Sequence, residues 1–204
     1  MSYALRTTLV AVAVATAGCG GVASVATTAT QPTVLVPSAS ESPAGCANPD
    51  LISASSPVTQ LALTVSDLPP GGPALEQISD GEMNNTVNTD QRGFSNVANT
   101  YRIEDDVVLD ASPQAASADY PQLRDTTKSL FSKVTSASSP ATLGCQADEV
   151  VGTTSTGYSQ VGVTFQDGDV IVVVLVVNSA AVVDPAFAAA VALAQDQKVV
   201  AAAS

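Results

Sequence analysis

The chain has 204 residues, a formal net charge of -12, three cysteines, and neither histidine nor tryptophan. Its nineteen acidic and seven basic side chains argue against nucleic acid as a partner, because affinity for a phosphate backbone comes from lysine and arginine. The absence of histidine removes the usual zinc sites and the histidine-dependent serine and cysteine hydrolases. The length suits about one domain and leaves no room for two large catalytic domains.

The N-terminus has the pattern of a secretory signal peptide. A positive charge at Arg6 precedes an uncharged, mostly apolar stretch over residues 7–18. This stretch is too short for a bilayer core, which needs about 20 helical residues. The sequence TAGC at residues 16–19 resembles a bacterial lipobox, with threonine where leucine is usual. The resemblance implies cleavage before Cys19 and acylation of that cysteine, for example with palmitate, which would anchor the protein on the extracytoplasmic side of the cell membrane. The alternative is a buried first helix with an unmodified thiol.

Three regions are predicted: a lipoprotein signal peptide at 1–18, a lipid-anchored tether at 19–45 and an extracytoplasmic domain at 46–204. The tether is rich in serine, threonine, alanine and proline and has no helical or strand period. Its hydroxyl groups are candidates for O-linked sugars. Cys46 and Cys145 are predicted to form a disulfide, because two remaining thiols in an oxidising compartment usually pair. Two separate buried thiols are the alternative.

The first part of the domain has five predicted elements. They are an extended segment or strand at 58–65, an exposed loop at 79–92, short strands at 99–103 and 107–109, and a helix at 119–134. Leu61, Leu63 and Val65 alternate with other residues, which is the period of a strand. Asp119 is the expected N-cap of the helix, with Pro121 in its first turn. We expect the apolar stripe of this helix to face the core.

The second part of the domain contains the clearest pattern, a β-hairpin over residues 158–177. Its first strand alternates apolar with polar or small residues, and Asp167-Gly168 supplies the turn. Its second strand is apolar at every position, which is typical of a central strand covered on both faces. A helix capped by Asp184-Pro185 follows, to about Ala202. We therefore predict an α+β fold, with an antiparallel sheet of about four to six strands and packed helices.

This order of features resembles small actinobacterial, mycobacterial-type cell-envelope lipoproteins, some of which are similar to the extracytoplasmic sensor domains of receptor kinases. The resemblance covers most of residues 46–204, and its motifs are short. They are the lipobox, the tether, Asp67-Leu68-Pro69, Gly93-Phe94, Tyr101-Arg102, residues 147–150, the hairpin, and Ala194-Gln195 in the last helix. The resemblance brings no catalytic residues to this chain.

Acidic residues are the remaining candidates for chemistry. Residues 104–106, with Asp110, could bind a hard cation such as calcium. In a strand, however, the side chains at 104 and 106 face opposite to the one at 105, so a solvated edge is favoured. The carboxylates at 148–149 could pair with Arg124 or Arg102, or act as general acid and base. Asp167 and Asp169 flank the turn glycine, which is ordinary turn chemistry. No nucleophile motif or phosphate loop accompanies these groups. We therefore expect no enzyme activity, no metal and no cofactor.

Two functions remain open. The first is a membrane-anchored cell-envelope lipoprotein with a non-catalytic binding or sensing domain, whose partner is an envelope protein or a cell-wall component bound through loops such as 79–92. The second is a carrier of a lipid or other amphiphile in the envelope. Its cavity would lie between the strand at 170–177 and the helices at 119–134 and 185–202. The two functions differ in whether these elements fill the space between them.

Overall fold

The computed structural model describes residues 57–82 and 88–202, which form a seven-stranded antiparallel sheet with helices on both faces. The strands are β1 (Glu76–Glu82), β2 (Thr89–Ser95), β3 (Tyr101–Leu109), β4 (Lys133–Ser138), β5 (Gln146–Thr153), β6 (Ser159–Asp167) and β7 (Val170–Asn178). The helices are α1 (Val58–Leu61), α2 (Pro113–Ser129) and α3 (Pro185–Ala202), with a 3-10 turn at Val65–Asp67. The strand order is β1-β2-β3-β7-β6-β5-β4. The predicted α+β class is confirmed, with seven strands rather than four to six.

Strand β7 lies at the centre of the sheet, and its two sides define the two faces of the fold. Val172, Val174 and Val176 belong to the main core beneath α3, a side that we call the α3 face. Ile171 packs with Ala116 and Tyr120 of α2 on the other side, the α2 face. The predicted hairpin is confirmed as β6 and β7, and Gly168 adopts the positive φ of 59° in its turn. A strand that is apolar at every position is therefore covered on both faces, as expected.

Helix α3 begins and ends where the sequence predicts. The Asp184 side chain accepts a hydrogen bond from Ala186 N at 2.9 Å and satisfies a free N–H group of the first turn. Val191 and Val199 are fully buried against the sheet. On its partly exposed side, Lys198 Nζ donates to Asp67 Oδ2 at 2.6 Å. In the described part of the chain, neither α3 nor another helix has the length and apolar character needed to cross a membrane.

Helix α2 begins six residues before the predicted start, so Asp119 is not its N-cap. Ser112 takes that role, because its hydroxyl accepts from Ala115 N at 3.2 Å and Pro113 follows in the first position. Pro121 consequently lies inside the helix. Tyr120 and Thr127 of the predicted stripe are buried. The chain leaves the helix after residue 129 and enters β4.

Two predictions on the N-terminal half of the domain are wrong, and a third is confirmed in part. Residues 58–65 are not a strand, because α1 and a following bend occupy them. Leu61 and Leu63 are fully buried, but so is Ala62 between them, and Val65 is exposed. The predicted loop at 79–92 is mostly the strands β1 and β2, with residues 83–87 outside the described part. The two short strands around residues 104–106 are one continuous strand, β3. The polar residues in β1, β2 and β3 interrupt the apolar alternation by which a strand is recognised in a sequence.

Cys145 lies immediately before β5 and is disulfide-bonded. Its backbone N donates to Gln166 O of β6 at 2.8 Å, so the disulfide reaches the sheet close to the hairpin turn. Cys46 and Cys19 lie outside the described residues, together with the predicted signal peptide and tether. The pairing of Cys46 with Cys145, the lipidation of Cys19 and the boundaries at 18 and 45 therefore stay predictions.

Candidate functional site

The acidic residues at 104–106 do not form a cation site. Glu104 and Asp106 lie on the α2 face, whereas Asp105 lies on the α3 face and is fully buried. No group of three carboxylate or thiol side chains within residues 57–82 and 88–202 is arranged to hold a metal ion. Asp105 is therefore not part of a solvated edge, and its burial needs a different explanation.

The adjacent carboxylates Asp148 and Glu149 also separate, because successive side chains of β5 point to opposite faces. Asp148 accepts hydrogen bonds from the Tyr120 hydroxyl at 3.1 Å and from Lys128 Nζ at 3.5 Å on the α2 face. Glu149 accepts from Ser138 on the neighbouring strand instead. The two arginines expected here pair with residues close to them in sequence, Arg124 with Asp125 and Arg102 with Glu104. These carboxylates do not form an acid–base pair.

Asp167 and Asp169 flank the hairpin turn, as expected for turn residues. Burial raises the pKa of both carboxyl groups to about 6, with further contributions from nearby carboxylates. The Asp169 carbonyl accepts from Asp110 N at 2.8 Å, which joins the turn to the end of β3. This end of the hairpin carries much of the negative charge of the central strands.

Arg92 of β2 is the centre of a buried polar group that the sequence did not predict. Its Nε donates to Asp90 Oδ2 at 3.1 Å, and its two terminal nitrogens donate to Leu63 O at 2.9 Å and Thr59 O at 2.7 Å. Asp105, opposite Arg92 in the ladder, accepts from Leu63 N at 2.8 Å. We call Asp90, Arg92 and Asp105 the Arg92 cluster.

The Arg92 cluster fixes residues 59–63 to the sheet by hydrogen bonds to their backbone. Gln195 of α3 adds another, because its Nε2 donates to Leu61 O at 2.7 Å. This explains how a buried segment that is neither a long helix nor a strand satisfies its backbone groups. The signal in the sequence was the alternation of β3, where apolar residues at 101, 103, 107 and 109 place position 105 on the core side.

The cluster carries more acceptor groups than donors. Oδ1 of Asp90 and of Asp105 are both buried and have no hydrogen-bond partner. Burial raises the pKa of Asp105 to about 7, the hydrogen bond from Leu63 opposes that shift, and Asp106 and Asp90 add to it. The cluster is enclosed by α1, β2, β3 and α3, so its chemistry is that of a structural clamp sensitive to protonation.

A groove of about 440 Å³ opens at the end of the sheet opposite the hairpin turn. A row of three side chains crosses it, because Thr153 of β5 pairs with Ser159 of β6, and Ser159 pairs with Asn178 of β7. Directly paired residues of antiparallel strands share a face, so these side chains lie side by side. We call Thr153, Ser159 and Asn178 the polar row. Residues 179–182 form one wall of the groove, and Val182 in that wall is 83% exposed.

The wall of the groove is held by hydrogen bonds to the polar row itself. Asn178 Oδ1 accepts from Ala180 N at 2.9 Å and from Ala181 N at 3.1 Å. Ser159 Oγ accepts from Val183 N at 2.9 Å. Among the described residues, the Asn178 amide nitrogen and the Thr153 hydroxyl have no hydrogen-bond partner. The groove therefore combines a fixed backbone with free donor and acceptor groups.

The described residues that line the groove include no ionisable side chain. They supply hydroxyl groups from Thr135, Thr153 and Ser159, the Asn178 amide, and apolar surface from Val151 and Val182. Such a lining can form hydrogen bonds and apolar contacts, but the described residues in it include no ionisable general acid or base and no carboxylate, imidazole or thiolate to bind a metal ion. The motifs in the sequence gave no indication of this groove, since its residues come from separate strands and from the segment after β7.

Comparison of the chain with protein-family models and with curated proteins found no match.

Proposed function

We propose that this protein is a cell-envelope lipoprotein, anchored by lipid on the extracytoplasmic side of the membrane, whose domain binds a ligand without transforming it. The groove with the polar row is its binding site. The supporting observation is the lining of that groove, which offers fixed hydrogen-bonding groups and no ionisable side chain. A site of this composition suits recognition, because acid–base and metal-assisted catalysis both need groups that it lacks.

The packing of the sheet favours binding at this groove over the carriage of an amphiphile. The side chains of β7 are buried from Val170 to Val176 and pack against α3 on one side and α2 on the other. The space that a cargo would need between these elements is occupied by side chains, many of them with no exposed surface. The open groove of about 440 Å³ lies outside this packed core, at the end of the sheet.

The proposal is tested by photo-crosslinking from the groove in intact cells of the source organism. A benzophenone amino acid replaces Val182, which lines the groove and is 83% exposed. The matched control carries the same amino acid at Val97, which is 89% exposed in the turn between β2 and β3. We expect a light-dependent adduct of discrete mass from position 182 and none from position 97.

Adducts in equal yield from both positions, or from neither, would contradict a binding site at the groove. A lipid-soluble adduct that extracts with organic solvent, recovered from position 182, would replace the proposal with the carrier function. Either protein or glycan in the adduct is compatible with a binding domain.

The lipid anchor is tested separately by Cys19→Ala. Because the cysteine thiol would carry the acyl chains, we expect this variant to move from the membrane fraction to the soluble fraction. Cys145→Ala, which removes a cysteine that is disulfide-bonded, is the control and should leave localisation unchanged. Retention of the Cys19→Ala variant in washed membranes would show that another feature attaches the protein.

A further inference from the structure

The polar row runs across three neighbouring strands on one face of the sheet. Adjacent strands lie about 4.8 Å apart, so Thr153, Ser159 and Asn178 present hydroxyl, hydroxyl and amide groups over roughly 10 Å. Thr135 of β4 adds a further hydroxyl group to the lining. A ligand that lies along this row meets a series of evenly spaced groups that both donate and accept hydrogen bonds.

The charge distribution points to an uncharged ligand. The chain has a net charge of -12, so its long-range field disfavours anions, yet the groove lining has no carboxylate to attract cations. The acidic turn residues Asp167 and Asp169 lie at the other end of β6 and β7, which is about 27 Å away for nine-residue strands. Lys133 lies opposite Thr153 in the ladder between β4 and β5, outside the residues that line the groove.

The position of the row argues against a peptide as the ligand. Peptides usually bind a sheet by adding a strand to a free edge, where backbone groups are unpaired. The row lies on β5, β6 and β7, each of which has a strand paired on both sides. Recognition at the row therefore uses side-chain hydroxyl and amide groups, and of the described lining residues Thr135 alone belongs to an edge strand, β4.

We propose, on the basis of the proposed function, that the groove binds a neutral oligosaccharide, with the polar row bonded to the sugar hydroxyl groups and Val182 against an apolar face of a ring. A carbohydrate supplies several neutral hydroxyl groups at close spacing together with C–H surfaces, which matches the composition of the lining. The fixed wall reduces the entropy lost on binding, because Asn178 and Ser159 already hold residues 180–183.

The experiment measures binding of defined sugars to the full-length chain in detergent micelles, by saturation-transfer NMR and then calorimetry. The probes are neutral di- to tetrasaccharides of glucose, mannose, galactose and arabinose. Oligoglucuronates and chitosan oligomers are the acidic and basic comparisons. Phosphatidylcholine vesicles with and without a monohexosyl diacylglycerol distinguish a lipid headgroup from a free polysaccharide. We expect at least one neutral sugar to bind and the charged sugars to bind more weakly.

Two variants test the row directly. Thr153→Val removes one hydroxyl group at nearly constant volume. Asn178→Asp keeps an oxygen for Ala180 N and Ala181 N but removes the amide donors. Each should weaken binding about fivefold, the effect of one hydrogen bond. Thr89→Val, at a half-buried threonine of β2, is the matched control and should bind as the wild type does.

No binding of any neutral sugar at concentrations up to about 10 mM, or a preference for charged sugars, would overturn the oligosaccharide proposal. Unchanged affinity in both Thr153→Val and Asn178→Asp would do the same. Binding of soluble sugars indicates a polysaccharide, whereas binding only to the glycolipid vesicles indicates a headgroup. A specific protein adduct from position 182 without sugar binding would overturn this inference and leave the proposed function standing.

Discussion

Replacing Arg92 with alanine should lower the free energy of unfolding by about 3–5 kcal/mol, the cost of breaking a buried ion pair by removing one partner. The guanidinium is the donor to Asp90 and to the carbonyl oxygens of Thr59 and Leu63. Without it these acceptors stay buried and lose that donor. Urea unfolding followed by circular dichroism at pH 7 measures the change. Hydrogen exchange should increase first in residues 58–63, which the clamp holds.

The matched control is Arg102→Ala on the neighbouring strand β3. The Arg102 side chain is 45% exposed and lies 3.7 Å from Glu104, so its removal should change the free energy of unfolding by less than about 0.5 kcal/mol. Arg92→Lys should fall between the two, because an ammonium group cannot reproduce the planar fork of hydrogen bonds. Equal stability of the Arg92→Ala and Arg102→Ala variants would show that the clamp does not support the fold.

The sequence predicted the hairpin and α3 because each has a complete local signal. The Asp167-Gly168 turn lies between strands of the correct period, and Gly168 adopts the positive φ that the turn needs. Asp184 caps α3 through its own side chain. Such contacts join residues close in the chain, so they can be inferred without knowledge of the rest of the fold.

Prediction from the sequence failed where the hydrogen-bond partners of a segment are residues far away in the chain. The segment at 58–65 has the apolar alternation of a strand, but its backbone bonds to Arg92, Asp105 and Gln195 rather than to another strand. Only the tertiary fold brings these side chains to it. Likewise β2 was taken for a loop, because a strand that buries an aspartate and an arginine has no simple apolar period.

The groove could not be predicted for a related reason. Thr153, Ser159 and Asn178 are ordinary polar residues at the ends of three strands, and none carries a motif. Their alignment follows from the register of β5 with β6 and of β6 with β7. A prediction that placed the hairpin correctly would pair Ser159 with Asn178, but Thr153 joins them only once β5 is known to be their neighbour.

Stability should rise as the pH falls from 8 to 5, because several carboxyl groups are buried in the folded state. Burial raises the pKa of Asp105 to about 7 and that of Asp106 to about 6, above the ordinary value of 3.8. Between about pH 4 and pH 7, the folded state therefore binds more protons than the unfolded state. Their contribution is fully present below about pH 4 and is lost as the pH rises through 6 to 7. For Asp105 alone, three pKa units correspond to at most about 4 kcal/mol. Urea unfolding at half-unit steps of pH measures the slope.

The variant Asp105→Asn tests whether the Arg92 cluster causes this dependence of the free energy of unfolding on pH. An asparagine keeps an oxygen to accept from Leu63 N but cannot ionise, so the variant should be more stable than the wild type at pH 8 and should show a flatter pH dependence. Asp125→Asn is the control, because Asp125 is exposed and Arg124 lowers its pKa, so it stays ionised between pH 5 and 8 and the variant should keep the slope of the wild type. If Asp105→Asn destabilises the protein equally at pH 5 and pH 8, the carboxyl group does not titrate in this range, and its role is limited to the hydrogen bond that it accepts from Leu63. A flattened slope would instead mean that protonation of one buried carboxyl group controls how firmly residues 59–63 are held against the sheet.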